Sequence, residues 1–114
     1  MVWESLLAAD ELEKEGISCE IINIHTIKPL DEEIILKSVE KTGKIVSAEE
    51  HNYLGGLGES IAGMLARRRP TPQEFVAVHD TFGESGTPAE LMKKYEIDAD
   101  AVVKAVKKII ERTK

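Results

Sequence analysis

The chain has 114 residues, the length of one domain with a single hydrophobic core. Charged residues make up 32% of the sequence and hydrophobic residues 42%, the balance of an ordinary globular domain. A net charge of −6 disfavours binding to nucleic acid or to an anionic membrane, and the single cysteine, Cys19, excludes an internal disulfide and a four-cysteine zinc site.

The first half of the chain predicts a helix, a strand and a second helix. Apolar residues at helical spacing predict a helix over residues 2–15, which Gly16 ends. Residues 17–24 are rich in isoleucine and predict a strand that is covered on both faces. Asp31 can cap the next helix, and Gly43 can close it.

The second half predicts two more strands and up to three helices. Residues 44–48 predict a strand, and a helix with an apolar face starts near Leu57. Residues 75–78 predict a further strand. Thr87-Pro88-Ala89-Glu90 is a capping box with proline at the first helical position, and Asp98 is expected to cap the last helix.

Alternating helices and strands predict an α/β fold with three layers, in which helices cover both faces of a mostly parallel sheet. Three strands are few for this number of helices. The chain also begins directly with a helix, and in such folds a strand normally precedes that helix in the sequence. We therefore expect residues 1–114 to be one domain that lacks its first strand, as a fragment of a longer parent would. No signal peptide or membrane-spanning run is read in the sequence, so we expect a cytoplasmic setting.

The most informative motif is a glycine-rich corner between the strand at 44–48 and the helix near Leu57. Its candidate site residues are Glu49, Glu50, His51, Asn52, Gly55, Gly56 and Gly58. The spacing does not match a dinucleotide fingerprint, which needs a glycine where Ile61 stands, or a phosphate loop, which needs a lysine where Met64 stands. Two interpretations stay open: a tight turn with positive φ angles, which we favour, and an anion site at the helix N-terminus.

The titratable residues of the corner do not form a complete active site. Glu49 and Glu50 are adjacent on a strand and point to opposite faces, so one carboxylate is expected to bond to backbone donors of the corner while the other is solvated. His51 has no serine or cysteine nearby to activate, which favours a structural or interface role. The three histidines lie on separate loops without zinc-ligand spacing, so no metal site is expected.

Several motifs in order resemble the C-terminal domain of the transketolase group of thiamine diphosphate enzymes. The resemblance is carried by Ile27-Lys28-Pro29-Leu30-Asp31, Thr42-Gly43, Glu49-Glu50-His51-Asn52 and Gly55-Gly56-x-Gly58. Within that group, the second half of the chain is most similar to transketolases. The segments concerned are Val78-His79-Asp80-Thr81-Phe82-Gly83-Glu84-Ser85-Gly86 and Pro88-x-Glu90-Leu91-Met92-x-x-Tyr95.

The resemblance implies a supporting role in a larger enzyme that transfers two-carbon ketol units between sugar phosphates. Thiamine diphosphate and Mg²⁺ are expected in other domains of the parent, so no catalytic, cofactor or metal residue is carried over to this chain. The implied partners are the remaining transketolase domains or subunit, in a homo-oligomer. For the corner, an interface and an anion-binding site both stay open. Neither nucleic acid nor a membrane is an expected partner.

Two alternatives remain open from the sequence. One is the C-terminal domain of a 1-deoxyxylulose 5-phosphate synthase or of a 2-oxoacid dehydrogenase beta subunit, which the second half of the chain disfavours. The other is a stand-alone module that binds an anion or another protein through the glycine corner.

Overall fold

The computed structural model describes residues 2–24, 30–50, 56–78 and 88–114. These residues form four helices and two strands: α1 (Val2–Lys14), α2 (Glu32–Thr42), β1 (Ile45–Glu50), α3 (Leu57–Arg68), β2 (Gln73–Val78) and α4 (Pro88–Arg112).

The two strands pair in parallel, with Ile45 opposite Gln73 and Glu50 opposite Val78. Helices cover both faces of this small sheet and build two separate cores. On one face, α1 and α4 meet the strands around Ala8, Leu12, Val76, Ala99, Val102 and Val103. On the other face, α2 and α3 pack together around Ile35, Val39, Ile61, Met64 and Leu65. The predicted α/β class, with helices on both faces of a parallel sheet, is confirmed.

Helix α2 begins and ends where its local sequence predicts. The side chain of Asp31 accepts a hydrogen bond from the backbone N–H of Ile34 at 3.4 Å, which satisfies a donor of the first turn. Gly43 ends the helix in the left-handed region, with φ of 75°, and its N–H donates to the carbonyl of Val39 at 2.8 Å. Arg68 of α3 binds the carboxylates of Glu32 and Glu33 at 2.8 and 3.3 Å, which ties α3 to the start of α2.

The strand predicted over residues 17–24 is not present. The segment leaves α1 at Gly16, packs Ile17 against the α1/α4 core and reaches the α2/α3 core at Ile24, but it pairs with neither strand of the sheet. A cavity of about 550 Å³, here called the β1 slot, lies between this segment and β1. The prediction was wrong because β propensity needs a neighbouring strand to satisfy the backbone, and no described strand pairs with this segment.

The helix break predicted at Asp98 is also absent. Helix α4 runs without interruption from Pro88 to Arg112, and Asp98 is a buried residue in its interior rather than a cap. Residues 89–111 contain neither glycine nor proline, the residue types that most often end a helix, so the helix that starts at Pro88 continues. Thr87, the first residue of the predicted capping box, lies outside the described residues.

Candidate functional site

The glycine corner lies at the connection between β1 and α3. Glu49 lies next to the end of β1, and Gly56 is the N-cap residue of α3. The backbone N–H of Gly58 donates to Oε2 of Glu49 at 2.6 Å. A carboxylate at this position satisfies one of the unpaired donors of the first turn and is stabilised by the positive end of the helix dipole. The predicted bond between one carboxylate and the corner backbone is thus confirmed at Glu49.

Gly58 is the position in the corner where glycine is required by a close approach. It is buried, and a Cβ atom placed on it would lie 2.5 Å from Cδ2 of Phe75 and 2.9 Å from Oε2 of Glu49. The predicted positive φ angle is wrong for Gly56, whose φ is −86°. The described glycines with positive φ are Gly16 and Gly43, which follow helices α1 and α2.

Two residues of β2 complete the corner and were missed in the sequence analysis. The side-chain amide of Gln73 donates to the carbonyl of Gly58 at 3.0 Å and to Oγ of Ser47 at 3.1 Å, so it joins both strands to α3. Phe75 lies over Gly58 and keeps 54% of its surface exposed. The apolar side chain of Phe75 in a predicted strand could have indicated a packing contact. No local pattern distinguishes Gln73 from a polar residue at a solvated strand end.

The remaining predicted site residues are only partly described. The side chain of Glu50 and the whole of His51, Asn52 and Gly55 lie outside the described residues, as do His25 and His79. What the structure brings together is therefore Glu49, Gly56 and Gly58, with Gln73 and Phe75 added.

The described part of the corner does not fit a diphosphate cofactor or its metal ion. The N–H of Gly58, which a bound phosphate would need, already donates to the carboxylate of Glu49, and that negative charge would repel a second anion. Within residues 2–24, 30–50, 56–78 and 88–114, no three histidine, cysteine, aspartate or glutamate side chains converge as metal ligands do. No described helix is long and apolar enough to cross a membrane.

The sequence and the fold of the chain were both compared with those of known proteins. Residues 1–102 match the family model described as "Transketolase, C-terminal domain". A 6-deoxy-6-sulfo-D-fructose transketolase subunit from Clostridium is 45% identical over 98% of this chain, and mouse transketolase is 40% identical over 96%. A solved structure, described as a split-gene transketolase in an inactive beta4 tetramer, has 42% identity and a TM-score of 0.76 over 95% of the chain.

In each comparison the match covers a minor part of the relative. The chain spans 35% of the Clostridium subunit, 35% of the split-gene chain and 18% of mouse transketolase. The agreement therefore concerns one domain of these proteins, and it extends over nearly all of the present sequence. The chain belongs to the transketolase C-terminal domain family.

Proposed function

We propose that this chain is the non-catalytic C-terminal domain of a transketolase and that it supports the subunit and domain contacts of that enzyme. The observation that carries the proposal is the coverage: almost the whole chain matches, yet it corresponds to 35% or less of the relatives compared. A domain that supplies a fifth to a third of an enzyme, and whose corner does not suit a diphosphate, serves the reaction by packing.

The parent reaction would be transfer of a two-carbon ketol unit between sugar phosphates. Thiamine diphosphate and Mg²⁺ would supply the carbanion chemistry in the other domains, and the residues described here take no step in it. The sulfosugar in the name of the Clostridium subunit belongs to that protein.

The glycine corner is the surface we assign to contact with the rest of the enzyme. Bonds from Glu49 and Gln73 hold its backbone in place, and Phe75 exposes an aromatic surface beside it. Exposed aromatic residues on a rigid support are common anchors of protein interfaces. Glu50, His51, Asn52, Gly55 and Gly56 extend the same corner in sequence, and we include them in the proposed interface.

A domain replacement in mouse transketolase tests this function. The matching C-terminal region would be deleted in one variant and replaced by the present chain in another. We expect the deletion to lose ketol transfer and the graft to restore at least about a tenth of it, a difference in barrier of about 1.4 kcal/mol. A deletion that keeps full activity, or a folded graft that stays inactive, would contradict the proposal.

The isolated chain provides the complementary measurement. We expect no ketol transfer and no saturable binding of thiamine diphosphate by calorimetry, with or without Mg²⁺. In the grafted enzyme, Phe75→Ser should weaken subunit or domain association, whereas the control Ala66→Ser, on an exposed residue of α3, should leave association unchanged. Equal effects from the two substitutions would remove Phe75 from the proposed interface.

A further inference from the structure

Strand β2 pairs with β1 along one edge and has an outer edge that faces away from β1. The backbone N–H of Ile45 donates to the carbonyl of Pro72 at 3.1 Å, so this carbonyl points toward β1. Because backbone groups alternate in direction along an extended strand, the N–H and C=O groups of Phe75 and Ala77 point away from β1. The described sheet has the order β1-β2, so no other described strand pairs with these groups.

Arg112 limits where a further strand can pair with this outer edge. Its guanidinium donates to the carbonyl of Gln73 at 2.8 Å and to the carboxylate of Glu74 at 2.6 Å. The carbonyl of Gln73, which also points away from β1, is therefore already bonded. Phe75 and Ala77 each present one backbone donor and one backbone acceptor to a neighbouring strand. A further strand can thus pair with the centre of β2 but not with the carbonyl of its first residue.

The outer edge has an exposed aromatic ring on one face of the sheet and small helical residues on the other. On the face of α3, the side chain of Phe75 is 54% exposed. On the opposite face, Arg112 marks the side of α4 that reaches the outer edge. Helical spacing puts Ala101, Ala105 and Lys108 on this same side of α4. The two alanines are only partly buried, and residues of this size allow a second helix to approach to about 8–10 Å.

We propose that the outer edge of β2 is a self-association surface, at which a second copy of this chain adds its own β2 in antiparallel orientation and joins the two sheets into one. The twofold axis passes through Val76. Phe75 of each copy then lies opposite Ala77 of the other, and each of these two pairs exchanges two backbone hydrogen bonds. This register leaves the carbonyl of Gln73 to Arg112. The proposal goes beyond the proposed function, because it rests on the geometry of β2 and α4 alone.

The position of Phe75 favours a second copy as the occupant of this edge. In the proposed register, the two Phe75 residues are diagonal neighbours on the same face of the joined sheet. Diagonal neighbours lie about 7–8 Å apart, which is within reach of aromatic side chains. Each exposed ring therefore gains an apolar contact from the identical ring of the other copy.

The charges of α4 also favour an antiparallel second copy. Residues 88–100 include four acidic and two basic residues, whereas residues 101–112 include four basic and one acidic residue. Val76 belongs to the same buried cluster as Ala99, Val102 and Val103, which lie where these two halves meet. A twofold axis through Val76 therefore sets the acidic half of one α4 beside the basic half of the other. Helices in parallel orientation would instead place like charges together.

Sedimentation of the full chain over a range of concentrations, combined with amide hydrogen exchange resolved by residue, tests the proposal. We expect a reversible dimer, in which the amides of Phe75 and Ala77 exchange at least about tenfold more slowly than in the dilute monomer. The amide of Val76 is the internal control. It points toward β1, so it is bonded in monomer and dimer alike, and its exchange should change less.

Two matched pairs of variants test the backbone pairing and the charge pairing separately. Ala77→Pro removes the outward N–H without breaking the ladder to β1, so it should raise the dimer dissociation constant by at least about tenfold. Ala77→Ser keeps that N–H and should dimerise like the parent chain. Lys104→Glu in the basic half of α4 should raise the dissociation constant by at least about threefold. Lys37→Glu, on an exposed residue of α2, makes the same change in net charge and should have no such effect. Circular dichroism of all four variants shows whether they remain folded.

Several results would overturn the proposal. A chain that stays monomeric at every concentration has no such surface, and a dimer in which Phe75 and Ala77 exchange as fast as in the monomer associates elsewhere. Slow exchange of both amides already in the monomer would mean that another part of the chain covers the edge. Equal dimerisation of folded Ala77→Pro and Ala77→Ser, or equal effects of the two glutamate substitutions, would also contradict it. No readout is ketol transfer and no variant alters the glycine corner, so this proposal and the proposed function can fail separately.

Discussion

The two edges of β1 carry the same residues but are completed to very different degrees. Toward β2, all six residues of β1 have a register partner, and the amide of Gln73 adds a bond to Ser47. Toward residues 17–24, the same strand faces the β1 slot. Both edges are enclosed by the same two helix layers. The difference shows that helix packing alone does not bring a β-prone segment into a sheet when no described strand pairs with it.

The largest expected difference concerns side-chain truncation in the closed core and beside the slot. Leu65 is fully buried between α2 and α3 and does not line the slot, so Leu65→Ala should cost about 2–5 kcal/mol in free energy of unfolding. Ile110 of α4 is partly exposed and faces the slot, so Ile110→Ala should cost about 1 kcal/mol. Urea denaturation measures both, and equal costs would mean that the slot is as well packed as the closed core.

Two glycines of α3 offer the next comparison, on the paired side of β1. Gly58→Ala should destabilise by about 1–3 kcal/mol, because the new Cβ would overlap the Phe75 ring and crowd the Glu49 carboxylate. Gly63→Ala is the control: its Cβ would lie 3.5 Å from the Arg67 guanidinium, and the better helix propensity should stabilise by up to about 1 kcal/mol. Thermal unfolding of the two variants should therefore shift in opposite directions, and a Gly58→Ala variant as stable as the parent would contradict the close packing of the corner.

Glu49 tests whether the end of β1 stabilises the start of α3. Glu49→Gln keeps an oxygen that can accept from Gly58 but removes the charge at the helix N-terminus, so we expect a loss of about 0.3–1 kcal/mol. Glu49→Ala removes the acceptor as well and should cost about 0.5–2 kcal/mol. Denaturant unfolding at low and high salt checks both values. If the two variants lose the same free energy, the hydrogen bond contributes nothing beyond the charge.

Elements governed by neighbouring residues could be predicted from the sequence. Asp31 marks the start of α2 and Gly43 its end, through hydrogen bonds that span three or four residues. The identity of these two residues was therefore sufficient to place the helix. The corner was found for the same reason, since its glycines and Glu49 are close in sequence. Even there, the reason for a glycine differs from the predicted positive φ angle. Gly58 leaves room for the ring of Phe75, seventeen positions later, and Gly56 has no positive φ.

Features that depend on distant partners could not be predicted in this way. Residues 17–24 have the composition of a strand, but forming one depends on a neighbour that is not among the described residues. Gln73 gains its role from the oxygens of Ser47 and Gly58, which lie 26 and 15 positions away. Asp98 resembled a cap by type, yet the helix starting at Pro88 continues through it because nothing around it ends the helix.

The smallest expected effect concerns an ion pair that fixes α4 over the paired edge of the sheet. The guanidinium of Arg112 donates to Glu74 of β2 at 2.6 Å and to the carbonyl of Gln73 at 2.8 Å, and Lys108 lies 3.5 Å from the same carboxylate. The hydrogen bond from Arg112, helped by the charge of Lys108, lowers the pKa of Glu74 from its ordinary value of 4.5. Because the folded pKa lies below the unfolded one, this contribution to stability is complete above pH 4.5 and is lost as the pH falls through the lowered pKa.

Glu74→Gln should therefore be less stable than the parent chain at neutral pH by a small, constant amount, since exposed ion pairs contribute little. The difference in free energy of unfolding should shrink as the pH falls below 4.5, which denaturant unfolding across the acid range would show. Arg112→Met is the control, because without the guanidinium the main cause of the lowered pKa is gone and Glu74→Gln should add little pH dependence. If the difference between parent and Glu74→Gln grew toward acid pH, the Glu74 side chain would be favoured in its protonated form by folding, which would contradict the lowered pKa.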